Sequence, residues 1–150
     1  RNTCLYIGIA TVKLDGSTVV VEHLISTYQI NAAGGNDVAY FSVDPLLTLQ
    51  YIRWDWRNYI QRKYPRHKLA DDGTRYAPGQ AIVTPLLMKA EAVSKFTDWE
   101  SQGLVEGFAQ FKRDLISERN AGDRDRLDLL MAPDLVNQFR ILGTKIAWLL

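Results

Sequence analysis

Residues 84–103, "TPLLMKAEAVSKFTDWESQG", contain both the start and the stop signal of one long helix. Thr84 suits the N-cap position and Pro85 the first turn, while Gly103 suits the C-terminal stop. Apolar residues recur between them every three or four positions, which is typical of a helix with one buried side. Two adjacent lines make up the expected apolar face: Leu86, Ala90, Val93 and Thr97, with Lys89, Ala92, Phe96 and Trp99 beside them. We therefore predict a core-packing helix over 86–101.

A second long helix is predicted upstream, within residues 42–65, "SVDPLLTLQYIRWDWRNYIQRKYP". Asp44 as N-cap, Pro45 as the first helical residue and Pro65 at the exit frame a helix over 45–62. Its apolar stripe comprises Leu46, Leu49, Ile52, Trp56, Tyr59 and Ile60. Tyr51 and Trp54 lie off this stripe, which suggests that another surface, such as a second subunit, covers them.

Strand signals occupy both ends of the chain. Residues 4–12 and 18–26 are rich in β-branched and aromatic residues, and they flank the Asp15-Gly16 turn signal of a hairpin. A short helical piece is expected around 104–113, and three further strands are expected within the segments 114–120, 125–135 and 139–150. Pro133 indicates that its strand ends there or lies at an edge.

The order of strands, helices and strands predicts an α+β fold. We expect antiparallel strands from both ends of the chain to pack with two long helices and one short helix. At 150 residues, the chain has the length of one domain, so residues 1–150 are predicted to form a single domain. It starts at Arg1 with a strand expected almost at once, which suggests a fragment of a longer protein.

The densest polar stretch, residues 62–80, contains residue types that active sites use, but not at the spacings that such sites require. His67 with Asp71 and Asp72 could in principle serve a hydrolytic metal, but no second His, HExxH motif or Cys pair accompanies them. The glycines match neither a phosphate-binding loop nor a dinucleotide-binding motif. We predict a structural loop without catalytic, metal or cofactor residues, in which Asp71-Asp72-Gly73 forms a turn. Its key residues are Pro65, Asp71, Asp72, Gly73, Pro78 and Gly79.

Charge and hydropathy narrow the function classes further. The net charge is +1, so electrostatic attraction must come from a local cluster. One such cluster places six positive charges within residues 53–68: Arg53, Arg57, Arg62, Lys63, Arg66 and Lys68. It is interpreted as a solvated helix face or, alternatively, as a nucleic-acid-binding surface with Trp54, Trp56 and Tyr59 as stacking groups. No apolar run is long enough to span a membrane, and no signal peptide is evident.

The last twelve residues, "FRILGTKIAWLL", are apolar on both alternating faces. The residues concerned are Phe139, Ile141, Leu142, Ile146, Trp148 and Leu150. Two interpretations are open: a central strand buried on both sides within this domain, or a strand that pairs across a subunit boundary, because unpaired apolar strands readily pair with other chains.

Three stretches carry a family resemblance: "YPRHKLADDGTRYAPGQAIVTP" at 64–85, "GLVEGFAQFKRDLISERN" at 103–120 and "APDLVNQFRI" at 132–141. They resemble the C-terminal part of the contractile tail sheath protein of Mu-like phages and prophages. The resemblance implies a structural virion protein, without catalysis or cofactor, that is assembled in the host cytoplasm. Its subunits would form rings around a tail tube and contract, which drives the tube into the host for genome ejection.

The resemblance also implies partners. They are other copies of the chain, the tail tube protein, and the baseplate and tail terminator proteins, with no membrane and no nucleic acid. This chain would be the tube-proximal, C-terminal domain, with terminal arms that join strands of neighbouring subunits and basic residues that contact the tube or other subunits. The alternatives are the sheath of a phage-derived injection device or bacteriocin, the nucleic-acid-binding module, and a hydrolase that uses His67, Asp71 and Asp72.

Overall fold

The computed structural model describes residues 2–148 and confirms the α+β class. Its elements are α1 (Asn2–Tyr6), β1 (Thr11–Asp15), β2 (Thr18–His23), α2 (Val43–Lys63), β3 (Lys68–Leu69), β4 (Ile82–Val83), α3 (Pro85–Ser101), β5 (Val105–Glu106), α4 (Phe108–Asp114), β6 (Ile116–Arg119), β7 (Leu127–Leu130) and β8 (Asp134–Leu135). Within the described residues the strands form two-stranded ladders: β1–β2, β5–β8 and β6–β7 are antiparallel, and β3–β4 is parallel.

Helix α3 is the centre of the core, and its start follows from its cap. The Thr84 hydroxyl accepts a hydrogen bond from the Leu87 amide at 3.3 Å, which satisfies one of the amides that a helix start leaves unpaired. Pro85 occupies the first helical position, where its missing N–H costs nothing. At the other end, Gly103 adopts φ 69°, a backbone conformation that favours glycine, so the predicted stop is confirmed.

The buried side of α3 differs from the first of the two predicted lines. Leu86 is 66% exposed, and Ala90 and Thr97 also face solvent. The side that faces the core contains Met88 and three residues of the second predicted line: Met88, Ala92, Phe96 and Trp99 are buried. Periodicity alone does not distinguish between two adjacent lines of residues on a helix. The large aromatic residues Phe96 and Trp99 decide which line is buried, because they have the most apolar surface to remove from water.

Three other elements complete the core around α3. Helix α4 supplies Phe111, whose ring stacks on Phe96 with centroids 4.2 Å apart, and Leu115 follows directly after α4. Val105 of β5 and Ile52 of α2 close the cluster. The core therefore joins α2 to the second half of the chain.

Helix α2 begins two residues earlier than predicted. Ser42 occupies the N-cap position without a side-chain capping bond, because its hydroxyl lies 2.9 Å from His23 Nε2 instead. Asp44 falls in the first turn, where a carboxylate suits the positive end of the helix. Ile52 is buried and Trp56 packs against the core, whereas Tyr51 and Trp54 are exposed on this chain.

The N-terminal hairpin is confirmed, but its first strand is shorter than expected. Strands β1 and β2 pair from Asp15 with Thr18 at the turn, and Gly16 there has φ 61°. Residues 2–6, partly inside the predicted strand 4–12, are helical. Gly8 at φ 78° ends this turn: its amide bonds the Leu5 carbonyl and the Ile9 amide bonds the Cys4 carbonyl, a C-capping pattern that outweighs local strand propensity.

At the C-terminal end, β6 and β7 confirm strands within 114–120 and 125–135, and β7 ends before Pro133. Residues 139–148 have neither helix nor strand, so the strand predicted over 139–150 does not form there within the described chain. Its pairing with a neighbouring subunit stays a prediction. Leu149 and Leu150 lie outside the described residues. A strand requires a neighbouring edge for its backbone hydrogen bonds, and residues 139–148 have none along the described chain. No helix within 2–148 is both long and apolar enough to cross a membrane.

Candidate functional site

The loop between α2 and α3 is attached to the domain through two neighbouring carboxylates. Asp72 Oδ1 accepts a hydrogen bond from the Leu86 amide at 2.9 Å, at the start of α3. Asp71 Oδ1 lies 2.9 Å from Nη1 of Arg119 in β6. Gly73 at φ 80° makes the turn, and Thr74 donates its hydroxyl to the Asp71 carbonyl at 2.7 Å. Both carboxylates therefore have protein partners that position the loop.

His67 is placed apart from these carboxylate contacts. Its Nδ1 lies 3.2 Å from the Pro65 carbonyl, and its ring meets the Tyr64 ring edge-on with centroids 5.1 Å apart. Across the described residues, no group of three His, Cys, Asp or Glu side chains could hold a metal ion. Further along the loop, Pro78 is exposed and Gly79 adopts φ 81°. The geometry gives the hydrolase alternative no support.

A polar cluster that sequence analysis missed joins α2 to α3 around Glu91. The carboxylate accepts hydrogen bonds from the Tyr59 hydroxyl, from the Tyr64 hydroxyl at 2.6 Å and from Lys63 Nζ at 2.7 Å. Burial raises the pKa of Glu91, but these three donors outweigh it and hold the pKa below its usual value. The bond to Glu91 and a second bond to the Tyr59 hydroxyl raise the pKa of Lys63, while burial and the bond to Glu91 raise the pKa of Tyr64 to about 12.

A second charge pair, which is partly buried, lies one to two turns away along the same interface. Asp55 accepts from Lys95 Nζ at 2.7 Å and from Trp99 Nε1 at 2.7 Å. Burial raises the pKa of Asp55, yet the two donors hold it below its usual value, and Asp55 keeps the pKa of Lys95 raised against burial. Because Asp55, like Glu91, satisfies partners across the two helices, the position of α2 on α3 is fixed by polar contacts as well as by packing.

The six predicted basic contact residues do not form one equivalent set. Lys63 is engaged by Glu91, and Arg62 Nε donates to the Asn58 carbonyl at 3.3 Å. All six are exposed, including the other four, Arg53, Arg57, Arg66 and Lys68. Of the three stacking groups suggested for nucleic acid, only Trp54 is exposed, since Trp56 packs against the core and Tyr59 bonds Glu91. The geometry therefore weakens the nucleic-acid alternative.

Residues 136–148, here called the C-terminal segment, expose several large apolar side chains. Five side chains are 74–91% exposed: Phe139, Ile141, Leu142, Ile146 and Trp148. The segment is attached near its start: the Val136 amide bonds the Leu104 carbonyl at 3.2 Å, and Arg140 Nη2 lies 2.7 Å from Asp44 Oδ2 in α2. The predicted interpretation of a strand buried on both sides within the domain is therefore wrong for residues 139–148.

The N-terminal hairpin presents a second apolar surface. Val12 is paired with Val21 and Leu14 with Val19, so these four side chains share one face of the ladder, and they are 60–73% exposed. Phe139 and Arg140 border a cleft with Val21 and Asp44, which places the C-terminal segment beside the hairpin. Exposed apolar surfaces of this kind commonly mark sites of protein association.

Comparison with known proteins identifies the class of molecule to which these surfaces belong. Residues 36–147 match the family model for the phage tail sheath C-terminal domain, and the chain belongs to this family. The chain is also similar to a particular curated protein, the Mu-like prophage FluMu tail sheath protein of Haemophilus influenzae. The two are 46% identical over 151 residues, an alignment that covers 100% of this chain and 31% of that protein. The chain thus spans about a third of the length of its relative.

Proposed function

We propose that this chain is the C-terminal, tube-proximal domain of a contractile tail sheath subunit in a phage or prophage. Copies of the subunit polymerise around the tail tube in an extended state and then contract, which drives the tube into the host. The observation that carries the proposal is the C-terminal segment, which has five large apolar side chains exposed and no strand partner among residues 2–148. Family membership and the 46% identity to a tail sheath protein support it.

The C-terminal segment would bind by adding a strand to a neighbouring subunit. Burying a large apolar side chain contributes about 1.5–3 kcal/mol, and each new backbone hydrogen bond contributes about 0.5–1.5 kcal/mol. The hairpin of the neighbour is a suitable acceptor, because β1–β2 forms a separate two-stranded ladder whose apolar face is exposed. Strand addition of this kind joins chains through main-chain bonds and alternate side-chain pockets.

The two attachments at Val136 and Arg140 suit a connection that persists while the domains move. They hold the start of the segment against Leu104 and Asp44, so that residues 141–148 form the part that reaches a neighbour. An exposed ion pair such as Arg140–Asp44 contributes about 0–1 kcal/mol. It can therefore orient the segment without preventing a change of direction during contraction.

The exposed basic residues would supply weak contacts to the tail tube or to other subunits. Arg53, Arg57, Arg66 and Lys68 are the candidates, with Arg62 beside them, whereas Lys63 contributes less because Glu91 neutralises it. Such contacts are individually small and screened by salt, which suits a sheath that has to release the tube as it contracts.

The remaining partners and the location follow from the same proposal. A sheath ends at a baseplate and at a tail terminator, so both are proposed as partners, and the assembled protein belongs to the virion after assembly in the host cytoplasm. No catalytic residue or cofactor is proposed: Asp71 and Asp72 serve as structural contacts of the loop. The sheath of a phage-derived injection device or bacteriocin would have the same domain, and the neighbouring genes would separate these cases.

The test uses the full-length protein that contains this chain, with and without residues 141–150. Wild-type protein is expected to form tubes or stacked rings of uniform width in negative-stain electron microscopy, whereas the truncated protein remains dispersed with unchanged thermal stability. A control of unchanged length carries Ile141→Ser, Leu142→Ser, Ile146→Ser and Trp148→Ser, and it should behave like the truncation. Wild-type protein that stays monomeric at every concentration would refute the sheath proposal, and equal loss of folding and assembly would refute the role of the segment.

A further inference from the structure

The outer side of α2 bears an apolar stripe that nothing in the described chain covers. Leu47, Tyr51 and Trp54 recur at spacings of four and three and are 41–59% exposed. The rings of Tyr51 and Trp54 pack on each other with centroids 5.9 Å apart, so they form one continuous surface. Arg53 and Arg57, four residues apart, follow one flank of the stripe and are exposed. The surface is thus apolar in the middle and basic along an edge.

A surface of opposite charge lies on the outer face of the β6–β7 ladder. Ile116 is paired with Leu130, and both are exposed. Glu118 is paired with Asp128 and lies on the same face, because alternate residues of a strand share a face. The opposite face of this ladder packs toward α3, where the Ser117 hydroxyl donates to the Pro85 carbonyl at 2.8 Å. Arg126 lies 2.6 Å from Asp128 and offsets that charge, so Glu118 is the main acidic group of this outer face.

We propose that the α2 stripe of one copy docks on the outer β6–β7 face of a second copy of this chain. Leu47, Tyr51 and Trp54 would cover Ile116 and Leu130, while Arg53 and Arg57 would face Glu118. The two surfaces are different, so the contact is heterologous, and repetition of a heterologous contact produces a ring or an open helical filament. The inference rests on the proposed sheath function, since it specifies how neighbouring subunits touch in addition to strand exchange.

The size of the two surfaces explains why such a contact would act only within an assembly. A stable protein–protein interface buries about 800 Å² on each partner, and three side chains opposite two others supply only part of that area. If the C-terminal segments already link neighbouring subunits, the second contact becomes intramolecular, with an effective concentration of about millimolar. A weak contact then suffices to set the angle between neighbours.

The test is a charge exchange in the full-length protein that contains this chain. One variant carries Arg53→Glu and Arg57→Glu, and the other carries Glu118→Arg. Each alone is expected to raise the concentration needed for polymerisation, by about tenfold or more for the double arginine variant, which corresponds to about 1.4 kcal/mol per contact. A 1:1 mixture should polymerise close to wild type, because each variant then meets its complement. Lys112→Glu with Arg113→Glu in α4 is the matched control, with the same charge change and no expected effect.

The outcomes separate this inference from the sheath proposal itself. Variants that polymerise like wild type would overturn the contact and leave the sheath function standing. Variants that fail to polymerise both alone and when mixed would also overturn the proposed contact. If the variant with Arg53→Glu and Arg57→Glu then also loses binding to purified tail tube protein, the α2 stripe faces the tube instead. Absence of polymers from the wild-type protein itself would instead overturn the proposed function. Thermal unfolding of every variant should match wild type, because all five substituted side chains are exposed.

Discussion

Replacing Phe96 by alanine tests the position of the core on α3. Phe96 is fully buried, and its ring stacks on Phe111 at 4.2 Å and packs near Phe108 at 5.9 Å. Truncation removes the apolar surface of the ring and leaves a cavity, which together cost about 3–5 kcal/mol for a phenylalanine of this kind. Because a whole domain is stable by about 5–15 kcal/mol, this loss is a large part of the total.

The assay is urea unfolding of the 150-residue chain, followed by tryptophan fluorescence. With a denaturant dependence of about 2 kcal/mol per molar urea, a loss of about 4 kcal/mol lowers the midpoint by about 2 M. Leu86→Ala, on the same helix but 66% exposed, is the matched control and should change the free energy of unfolding by less than about 0.5 kcal/mol. A Phe96→Ala loss below about 1 kcal/mol, or a larger loss for Leu86→Ala, would show that the helix buries its other line.

Three further predictions concern polar contacts. The folded-state pKa of Glu91 lies below its unfolded value, so the stabilisation by its carboxylate is present above the unfolded pKa and is lost as pH falls through the folded pKa. In urea titrations, Glu91→Gln should therefore be less stable than wild type at pH 7 and should lose less stability toward pH 3. Equal acid sensitivity of the two proteins would refute this. In an ultraviolet titration of tyrosinate, one tyrosine should ionise near pH 12, and this step should be absent in Tyr64→Phe; an unchanged curve would contradict the assignment to Tyr64. Because the pKa of Tyr64 is raised, the stabilisation by its protonated hydroxyl is present below about pH 10 and is lost as pH rises toward 12. Asp72→Ala should cost about 1 kcal/mol in thermal unfolding by removing the bond to the Leu86 amide, while an equally stable variant would mean that water replaces the carboxylate.

Local signals account for most of the elements that were predicted correctly. The cap at Thr84 with Pro85, the stop at Gly103 and the turn at Asp15-Gly16 depend on residues within a few positions, and each lies where the structure has it. One error occurred where two local signals competed. At the N-terminus, β-branched residues indicated a strand, but Gly8 in the left-handed region ended a helical turn and delayed β1 until Thr11.

The candidate site was less predictable because it depends on contacts between distant residues. Glu91 meets Tyr59 and Lys63 only after α2 and α3 pack, and no spacing within either helix signals that meeting. For Asp71 and Asp72 the turn itself was foreseen, whereas their attachment to Arg119 and Leu86 required the folded chain.

By itself, the sequence determined the α+β class, the presence of two long helices, both ends of α3, the hairpin turn and the resemblance that family comparison bore out. Those features depend on short-range backbone preferences and on sequence similarity to a known family. Only the tertiary structure decided which line of α3 is buried, and that residues 139–148 form no strand and expose their apolar side chains. The physical reason is that burial and strand pairing both require a second surface, and a strand signal does not specify which surface will supply its hydrogen bonds.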